Sequence, residues 1–370
     1  MKKRNEGIDL LRCLAMLMVV VLHVLNHGGI LESSARGMPV YNAAWLLRAA
    51  GTCAVNCYAL ISGYVGVKSH HRYRSIVPLW LQTAFYALLL GLLVPLFVPD
   101  TAKLPLLAML APVSHRTYWY FTAYAALFFL MPLLNKGLSA LSRQEARRLV
   151  ISILAVFCVA GMLPCFNMAG SFSKEDVFLL GEGYGVLWLI LLYILGGCIR
   201  LHGFGQGVKA RYLLAGYGVT VLAGWYFKLY MEQDAPQALR PLVEENALLY
   251  YPSLTVTAAA LCLLLLFSRM KQLPDRPARI VRWLTPSTFA VYLIHEHPTV
   301  RAGLMSGRFA GFAADTPLVM LIKTLLVSAG IFLAGILIDQ LRLMLFRLLR
   351  LQQGLDWLAD KLSPSDEAQA

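Results

Sequence analysis

The sequence contains few charged residues and lacks the motifs of many soluble enzymes. Charged residues make up 14% of its 370 positions, whereas about 25% are charged in a typical soluble domain. It contains no Walker loop, no dinucleotide-binding glycine fingerprint and no G-x-S-x-G turn. These absences argue against a soluble nucleotide-binding enzyme and against a serine hydrolase with such a turn.

Cysteine is sparse and scattered. None of the seven cysteines forms a C-x-x-C pair, and no Cys/His cluster has the spacing of a structural zinc site. Nearly all of them fall in apolar runs, where a thiol packs as a small apolar group. We therefore expect no metal ion. The cysteines are Cys13, Cys53, Cys57, Cys158, Cys165, Cys198 and Cys262.

Long apolar segments are abundant instead. The chain is 58% hydrophobic, with a mean hydropathy of +0.62, and runs long enough to cross a bilayer recur throughout. They predict an all-α fold, a polytopic transmembrane bundle of about ten helices. The first run contains Arg12 and has no small-residue cleavage site, so we interpret it as a retained helix. The runs are 8–27, 44–66, 76–98, 118–134, 149–166, 183–200, 211–229, 248–268, 286–304 and 318–346.

Lysine and arginine concentrate in alternate loops, which predicts a multi-pass cell-membrane protein with both termini in the cytoplasm. This bias explains most of the net charge of +13, so the bilayer is the expected partner and nucleic acid is not. The basic groups begin with Lys2, Lys3 and Arg4, and later ones include Lys68, Arg72, Arg74, Lys136, Arg143, Arg147, Arg148, Arg200, Lys209, Arg211, Arg269, Lys271, Arg276, Arg279 and Arg282. The opposite loops carry Glu32, Asp100, Glu175, Asp176, Glu232, Asp234, Glu244 and Glu245.

The interior of the first apolar segment contains the ionisable residues Asp9, Arg12 and His23. Arg12 and His23 share almost the same face of a helix and lie about 16 Å apart along its axis, and Asp9 lies one turn below Arg12. Ionisable groups inside a spanning helix usually face the bundle interior and mark a functional path. Simpler interpretations stay open, because Arg12 can anchor the helix at the inner interface and His23 can hydrogen-bond between helices.

A second cationic region follows the second apolar segment. Ser62 and Gly63 allow either a close helix approach or a break near the inner face. A cluster of basic residues then follows, and it can clamp phosphate groups or contact lipid headgroups. The cluster is Lys68, His70, His71, Arg72 and Arg74.

Aromatic and ionisable residues also occur at the predicted outer ends. Trp119 and the residues around Glu182 fit an aromatic belt with an exposed loop carboxylate, or a platform for a sugar ring. The ninth segment contains Tyr292 and the run His295-Glu296-His297 near mid-membrane. A His/Glu pair at that depth can shuttle a proton or orient a substrate.

The first segment resembles the opening signature of the acyltransferase family 3 membrane proteins. In that family an arginine, ten intervening residues and a histidine form the characteristic motif of the first helix, which Arg12 and His23 match. The resemblance is to the stand-alone type, which has no fused esterase-like domain. The stretches that resemble the family are Arg4–Ala15, Ile61-Ser62-Gly63-Tyr64, Tyr118-Trp119-Tyr120 and Tyr292-Leu293-Ile294-His295, while Arg72 and Arg74 match the family's basic pair only loosely.

The resemblance implies transfer of an acyl group, most often acetyl, from cytoplasmic acyl-coenzyme A to a hydroxyl group of an extracytoplasmic or lipid-linked glycan. His23 would act as a general base or as a transient acyl carrier, and Asp9 would hold Arg12. The implied cofactor-binding residues are Arg12, Ser62, Arg72 and Arg74. The implied acceptor-binding residues are Trp119, Glu182, Tyr292 and His295.

Other functions stay open from the sequence. About ten spans with intramembrane charges also suit a transporter or a flippase for a lipid-linked glycan, although we find no internal repeat, and a sensing or exporting module is a third possibility. We expect a membrane domain at 1–350 and an amphipathic or disordered cytoplasmic tail at 351–370. The acceptor, the choice between acetyl and succinyl, and the oligomeric state are left undetermined.

Overall fold

The computed structural model describes residues 4–98, 104–166 and 176–351, and within these ranges it is helical with no strand. The sole β-type contact there is an isolated bridge between Phe166 and Val243. Several predicted features lie outside the described residues. They are Lys2, Lys3, Asp100, Glu175 and residues 352–370 of the predicted tail.

Fifteen α-helices form the described chain, joined in places by 3₁₀ or π turns. They are α1 (Glu6–Asn26), α2 (Ile30–Ser33), α3 (Pro39–Gly51), α4 (Ala54–Gly66), α5 (Ile76–Phe97), α6 (Leu106–Leu110), α7 (Trp119–Ala140), α8 (Arg143–Ile153), α9 (Val186–His202), α10 (Ala210–Gln233), α11 (Leu254–Ser268), α12 (Asp275–Leu284), α13 (Thr288–His295), α14 (Pro298–Val300) and α15 (Pro317–Leu348).

Six helical stretches of the described chain are long and apolar enough to cross a membrane. They correspond to six of the predicted segments and confirm the membrane class of the fold. The stretches are Glu6–Ser33, Pro39–Gly66, Tyr73–Phe97, Trp119–Ala140, Arg143–Cys165 and Pro317–Leu348.

The other four predicted segments form helices that are shorter, less apolar or interrupted. Helices α9 and α11 are apolar but have only 17 and 15 residues. Helix α10 is longer but buries a charged Lys228–Glu232 pair at its far end. The segment predicted at 286–304 is divided between α13, α14 and a π turn at Arg301–Met305. The count of about ten spans therefore stays a prediction.

Helix α1 lies at the centre of the bundle, in contact with α3, α4, α11, α13 and α15. Asn5 caps its start by accepting a hydrogen bond from the Ile8 amide at 3.2 Å, and its side-chain amide donates to the Ser268 carbonyl at 2.8 Å. These bonds satisfy a helix end that would otherwise leave polar groups unpaired. They also fix the start of α1 against the end of α11.

The first and last long helices meet at the same end of the bundle. Cys13 lies 3.7 Å (Sγ to Oγ1) from Thr285 in the short turn before α13. In the same turn, the Ser287 hydroxyl accepts a hydrogen bond from Gln340 of α15 at 3.1 Å. These two helices therefore approach the same turn. The placement of both termini in the cytoplasm stays a prediction.

Glycine allows α4 and α9 to cross in close contact. A Cβ atom at Gly63 would lie 1.9 Å from the carbonyl oxygen of Tyr193, and one at Gly196 would lie 2.1 Å from that of Leu60. Small residues let membrane helices approach until their backbones touch. Helix α4 continues through Gly63 to Gly66, so Ser62-Gly63 marks a close approach and not a helix break.

A buried ion pair within α15 is hydrogen-bonded to α5. The Asp339 carboxylate is fully buried and lies 2.6 Å from Nε of Arg342. It also accepts hydrogen bonds from the Tyr86 hydroxyl at 2.9 Å and the Gln82 amide at 3.3 Å. An unpaired charge in an apolar interior is costly. This cluster therefore stabilises the observed packing of α15 against α5.

We expect Gly63→Ala to destabilise the protein, because the added methyl group collides with the backbone of α9. Overpacking of this kind costs about 1–3 kcal/mol. The matched control is Gly137→Ala in α7, where an added Cβ meets no atom within 4 Å. Thermal unfolding of the purified proteins in detergent should show a lower midpoint for Gly63→Ala alone. Equal midpoints for the two variants would contradict the close approach.

Candidate active site

A cavity of about 250 Å³ lies inside the bundle beside His23. Its wall comes from α1, α4, α7 and α13 together with two loops, and most lining side chains are aliphatic or aromatic. A concave apolar wall with a few convergent polar groups is the usual form of a small-molecule site. The ionisable side chains that line it are His23, His27, Glu296 and Arg301.

The polar end of this cavity exists because α13 stops at His295. Pro298 begins the next short helix, and the His297 side chain caps that helix by accepting from the Thr299 amide at 3.2 Å. Proline suits the first position of a helix but cannot continue one. The continuous helix predicted over 286–304 is therefore wrong here. The break brings the Glu296 carboxylate within 3.2 Å of His23 on α1.

A chain of hydrogen bonds sets the orientation of His23. His295 Nδ1 faces the Val291 carbonyl, which can only accept, so this nitrogen must carry the proton. His295 Nε2 is then an acceptor, and it lies 2.8 Å from His23 Nδ1. The proton of neutral His23 is thereby assigned to Nδ1. Its Nε2 consequently holds a lone pair that can receive a proton.

Glu296 supplies the negative charge of the site. Its Oε2 atom lies 3.2 Å from His23 Nδ1 and 3.6 Å from His27 Nε2. Its Oε1 atom accepts a hydrogen bond from Arg301 at 2.9 Å. Oε2 is buried and has no hydrogen-bond partner among the described residues, because His23 Nδ1 is directed at His295. The carboxylate is placed to stabilise a positive charge on His23.

Asp9 organises the opposite end of α1. Its carboxylate is buried and pairs with Arg12 at 3.0 Å and with Arg4. The geometry agrees with the predicted pairing of Asp9 and Arg12. The Arg12 side chain keeps 28% of its surface exposed, so its guanidinium can still bind a further anion.

The cavity extends from His23 along α1 towards Arg12. Met16 and Val19 of α1 line it, as does Tyr58 of α4. The Tyr58 hydroxyl also donates a hydrogen bond to the Arg12 carbonyl at 2.8 Å. Met16 follows Arg12 by one helical turn, so the cavity wall ends about 6 Å along the helix from Arg12.

The loop after α4 packs against α7 near Arg12. The His71 ring lies 4.4 Å from that of Phe128, and Tyr73 stacks on Phe129. Tyr124, one turn from Phe128, lies close enough to Arg12 for an electrostatic interaction. The loop that carries Arg72 and Arg74 therefore lies at the same end of the bundle as Arg12.

The predicted cofactor-binding side chains in this region have different environments. Arg72 is exposed and Arg74 is half-buried. The Ser62 hydroxyl donates to the Tyr58 carbonyl of its own helix at 2.9 Å, and so lies one turn from the cavity wall. The structure gathers these residues at one end of the bundle and does not bring them into the His23 cavity.

Three of the four predicted acceptor-binding residues are close to His23. Trp119 and Tyr292 line its cavity, and His295 is its hydrogen-bond partner. The Tyr292 hydroxyl is buried without a hydrogen-bond partner among the described residues. Glu182 is exposed and lines a neighbouring cavity of about 340 Å³, which His23 also borders.

Sequence reasoning did not identify His27 or Arg301 as site residues. His27 follows His23 by one helical turn, and this spacing alone places both rings on the same face. No residue spacing indicates Arg301, because it reaches Glu296 across the break after α13. The sequence indicated Glu296 as part of a His/Glu pair, but not its contacts with His23 and Arg301.

The fold and this cavity define a multi-pass helical membrane protein with a histidine and a carboxylate inside its bundle. A family model described as an acyltransferase domain matches residues 5–340. The chain therefore belongs to acyltransferase family 3, as the Arg12–His23 motif predicted. This membership supports an acyltransferase and not the transporter or flippase. Comparisons with curated proteins and with solved structures returned no match.

We expect Arg301→Ala to destabilise the protein modestly, because Glu296 then loses its sole guanidinium partner among the described residues. The Arg301 side chain is 43% exposed, so the loss is about 1 kcal/mol. The control is Arg308→Ala, which removes an exposed arginine from the same region. A lower unfolding midpoint should appear for Arg301→Ala only. The same decrease in both variants would argue against the ion pair.

Proposed function

We propose that this protein is an O-acyltransferase of the cell membrane. It moves an acyl group, most often acetyl, from cytoplasmic acyl-coenzyme A to a hydroxyl group of an extracytoplasmic or lipid-linked glycan. The observation that carries the proposal is the orientation of His23. Its Nδ1 proton is directed at His295, so that Nε2 is free to act as a base in a cavity.

In the proposed reaction, His23 Nε2 takes the proton of the acceptor hydroxyl as its oxygen attacks the thioester carbonyl. The new C–O bond forms, the C–S bond breaks, and the proton passes to the departing thiolate. Positive charge appears on His23 during attack, and Glu296 Oε2 at 3.2 Å stabilises it. General base catalysis of this kind contributes roughly 10²–10⁴-fold to a rate.

The Arg12 end of the path is the proposed entrance for coenzyme A. Arg12 is held by Asp9 yet partly exposed, and the loop with Arg72 and Arg74 lies at the same end. Guanidinium groups bind phosphates with paired hydrogen bonds. The narrow pantetheine arm would run between Tyr58 and Met16, which line the cavity, and carry the thioester to His23.

The acceptor enters from the other end in this proposal. Trp119 and Tyr184 lie with ring centroids 4.6 Å apart, and Tyr251 packs on Tyr184 at 5.2 Å. Aromatic faces of this kind suit a sugar ring. The unpaired Tyr292 hydroxyl supplies a hydrogen bond for a sugar hydroxyl, and Glu182 in the adjoining cavity supplies an acceptor.

His23→Ala should abolish glycan acylation, because the base is lost, while protein level and membrane insertion stay normal. We expect a decrease in transfer of at least about 10², measured as acyl groups on cell-surface glycan. His202→Ala, which removes a histidine at the end of α9 that lines neither cavity, is the control and should retain activity. Full activity of His23→Ala would end the proposal.

A labelling experiment on the wild-type chain separates the two possible roles of His23. A transient acyl carrier would leave labelled acyl groups on the wild-type chain when acyl-coenzyme A is supplied without acceptor. A general base would leave none.

Arg12→Gln should weaken the use of acyl-coenzyme A. Loss of a charge-assisted contact to phosphate costs about 1.5–3 kcal/mol, so KM for the donor should rise about 10-fold or more, with a smaller change in kcat. Arg279→Gln is the control, because Arg279 is an exposed basic residue of α12. An unchanged donor KM in Arg12→Gln would show that coenzyme A binds elsewhere.

A further inference from the structure

We infer that His23, His27 and Glu296 form a binding site for a transition-metal dication of the Zn²⁺ type, and that occupancy of this site inhibits the protein. The three donor atoms lie within 4.8 Å of one another. The binding stands on this geometry alone. The inhibition also rests on the proposed function of His23.

The two distances from the carboxylate to the imidazoles match tetrahedral coordination. With ligand bonds of 2.0–2.2 Å, neighbouring donors around Zn²⁺ are about 3.4 Å apart. Glu296 Oε2 lies 3.2 Å from His23 Nδ1 and 3.6 Å from His27 Nε2. An ion can therefore bind these donors with small side-chain movements.

The environment of Glu296 Oε2 supports this site independently. The residue is 9% exposed, and its Oε2 atom is buried without a hydrogen-bond partner among the described residues. A buried oxygen of this kind normally has a partner. Oε1 is held by Arg301 at 2.9 Å, and outer contacts of this type orient the carboxylates that bind metals.

The donor set indicates which ions would bind. Two imidazoles and one carboxylate suit zinc, copper or nickel. Magnesium and calcium prefer six or more oxygen ligands, which this site does not supply. His23 and His27 both border the neighbouring cavity of about 340 Å³, so the ion has a route of entry and an open fourth position.

Metal binding removes the base. Coordination needs the lone pair of His23 Nδ1, which in the free site carries the proton directed at His295. The proton of the neutral ring must then reside on Nε2, and no proton is gained or lost overall. Nε2 can no longer receive a proton from the acceptor hydroxyl. The hydrogen bond with His295 is lost as well, which lowers the affinity and makes the inhibition reversible.

Zinc binding tests the site without any turnover. The full chain, purified without a histidine tag, is titrated with ZnCl₂ in competition with a fluorescent zinc indicator. We expect one site per chain, and His27→Ala should bind at least about tenfold more weakly. His70→Ala is the control for surface histidines and should bind like the wild type. Equal zinc affinity in His27→Ala and the wild type would overturn the proposal, as would no binding to the wild type.

Acyl transfer measured with and without ZnCl₂ tests the inhibition. Zinc should abolish transfer by the wild type, MgCl₂ should not, and a chelator should restore it. Whatever activity His27→Ala retains should be at least about tenfold less sensitive to zinc. Zinc bound at the site with transfer unchanged would overturn the inhibition. A chain that binds zinc but transfers no acyl group under any condition would refute the proposed function and leave the binding site standing.

Discussion

The contact between His23 on α1 and the break after α13 is the interaction on which the rest of the site depends. Helix α13 is held by its neighbours, since Tyr118 donates to the Leu293 carbonyl at 3.0 Å and Gly335 of α15 would meet Val291 at 3.1 Å with an added Cβ. These contacts hold α13 in position, and Pro298 begins a new helix just after it ends. That end delivers an acceptor nitrogen and a carboxylate to the same imidazole.

The bundle separates two kinds of charge along α1. Arg12 is neutralised by a buried aspartate, whereas His23 faces a carboxylate that is already paired with Arg301. Arg12 is therefore held in place by Asp9 with one side exposed, and His23 lies beside a carboxylate that can stabilise a transient positive charge. The cavity wall between them, which includes Met16 and Val19, is apolar. This distribution suits a donor whose charge stays at one end.

Much of this arrangement follows from the sequence. Helix α1, its ionisable face and the Asp9–Arg12 pair follow from residue spacing, because a helix repeats its faces every few residues. The place of Trp119 and Tyr292 in one cavity rested on the family resemblance. The break at His295 was missed, although Pro298 marks it, because an apolar run that continues past a proline is compatible with a kinked helix. Contacts across that break, such as Glu296 with Arg301, have no periodic signal and require the tertiary structure.

A carboxylate near two histidines and an arginine suits two kinds of chemistry, base catalysis and metal binding. A base needs an open lone pair and a nearby anion, and these same features suit a transition-metal dication. Here the difference lies in a single proton on His23 Nδ1, which the Val291 carbonyl sets through His295. While that proton is in place, Nδ1 cannot bind a metal and Nε2 can act as a base. In our proposals, the hydrogen bond that His23 donates to His295 thus favours the base over the metal ligand.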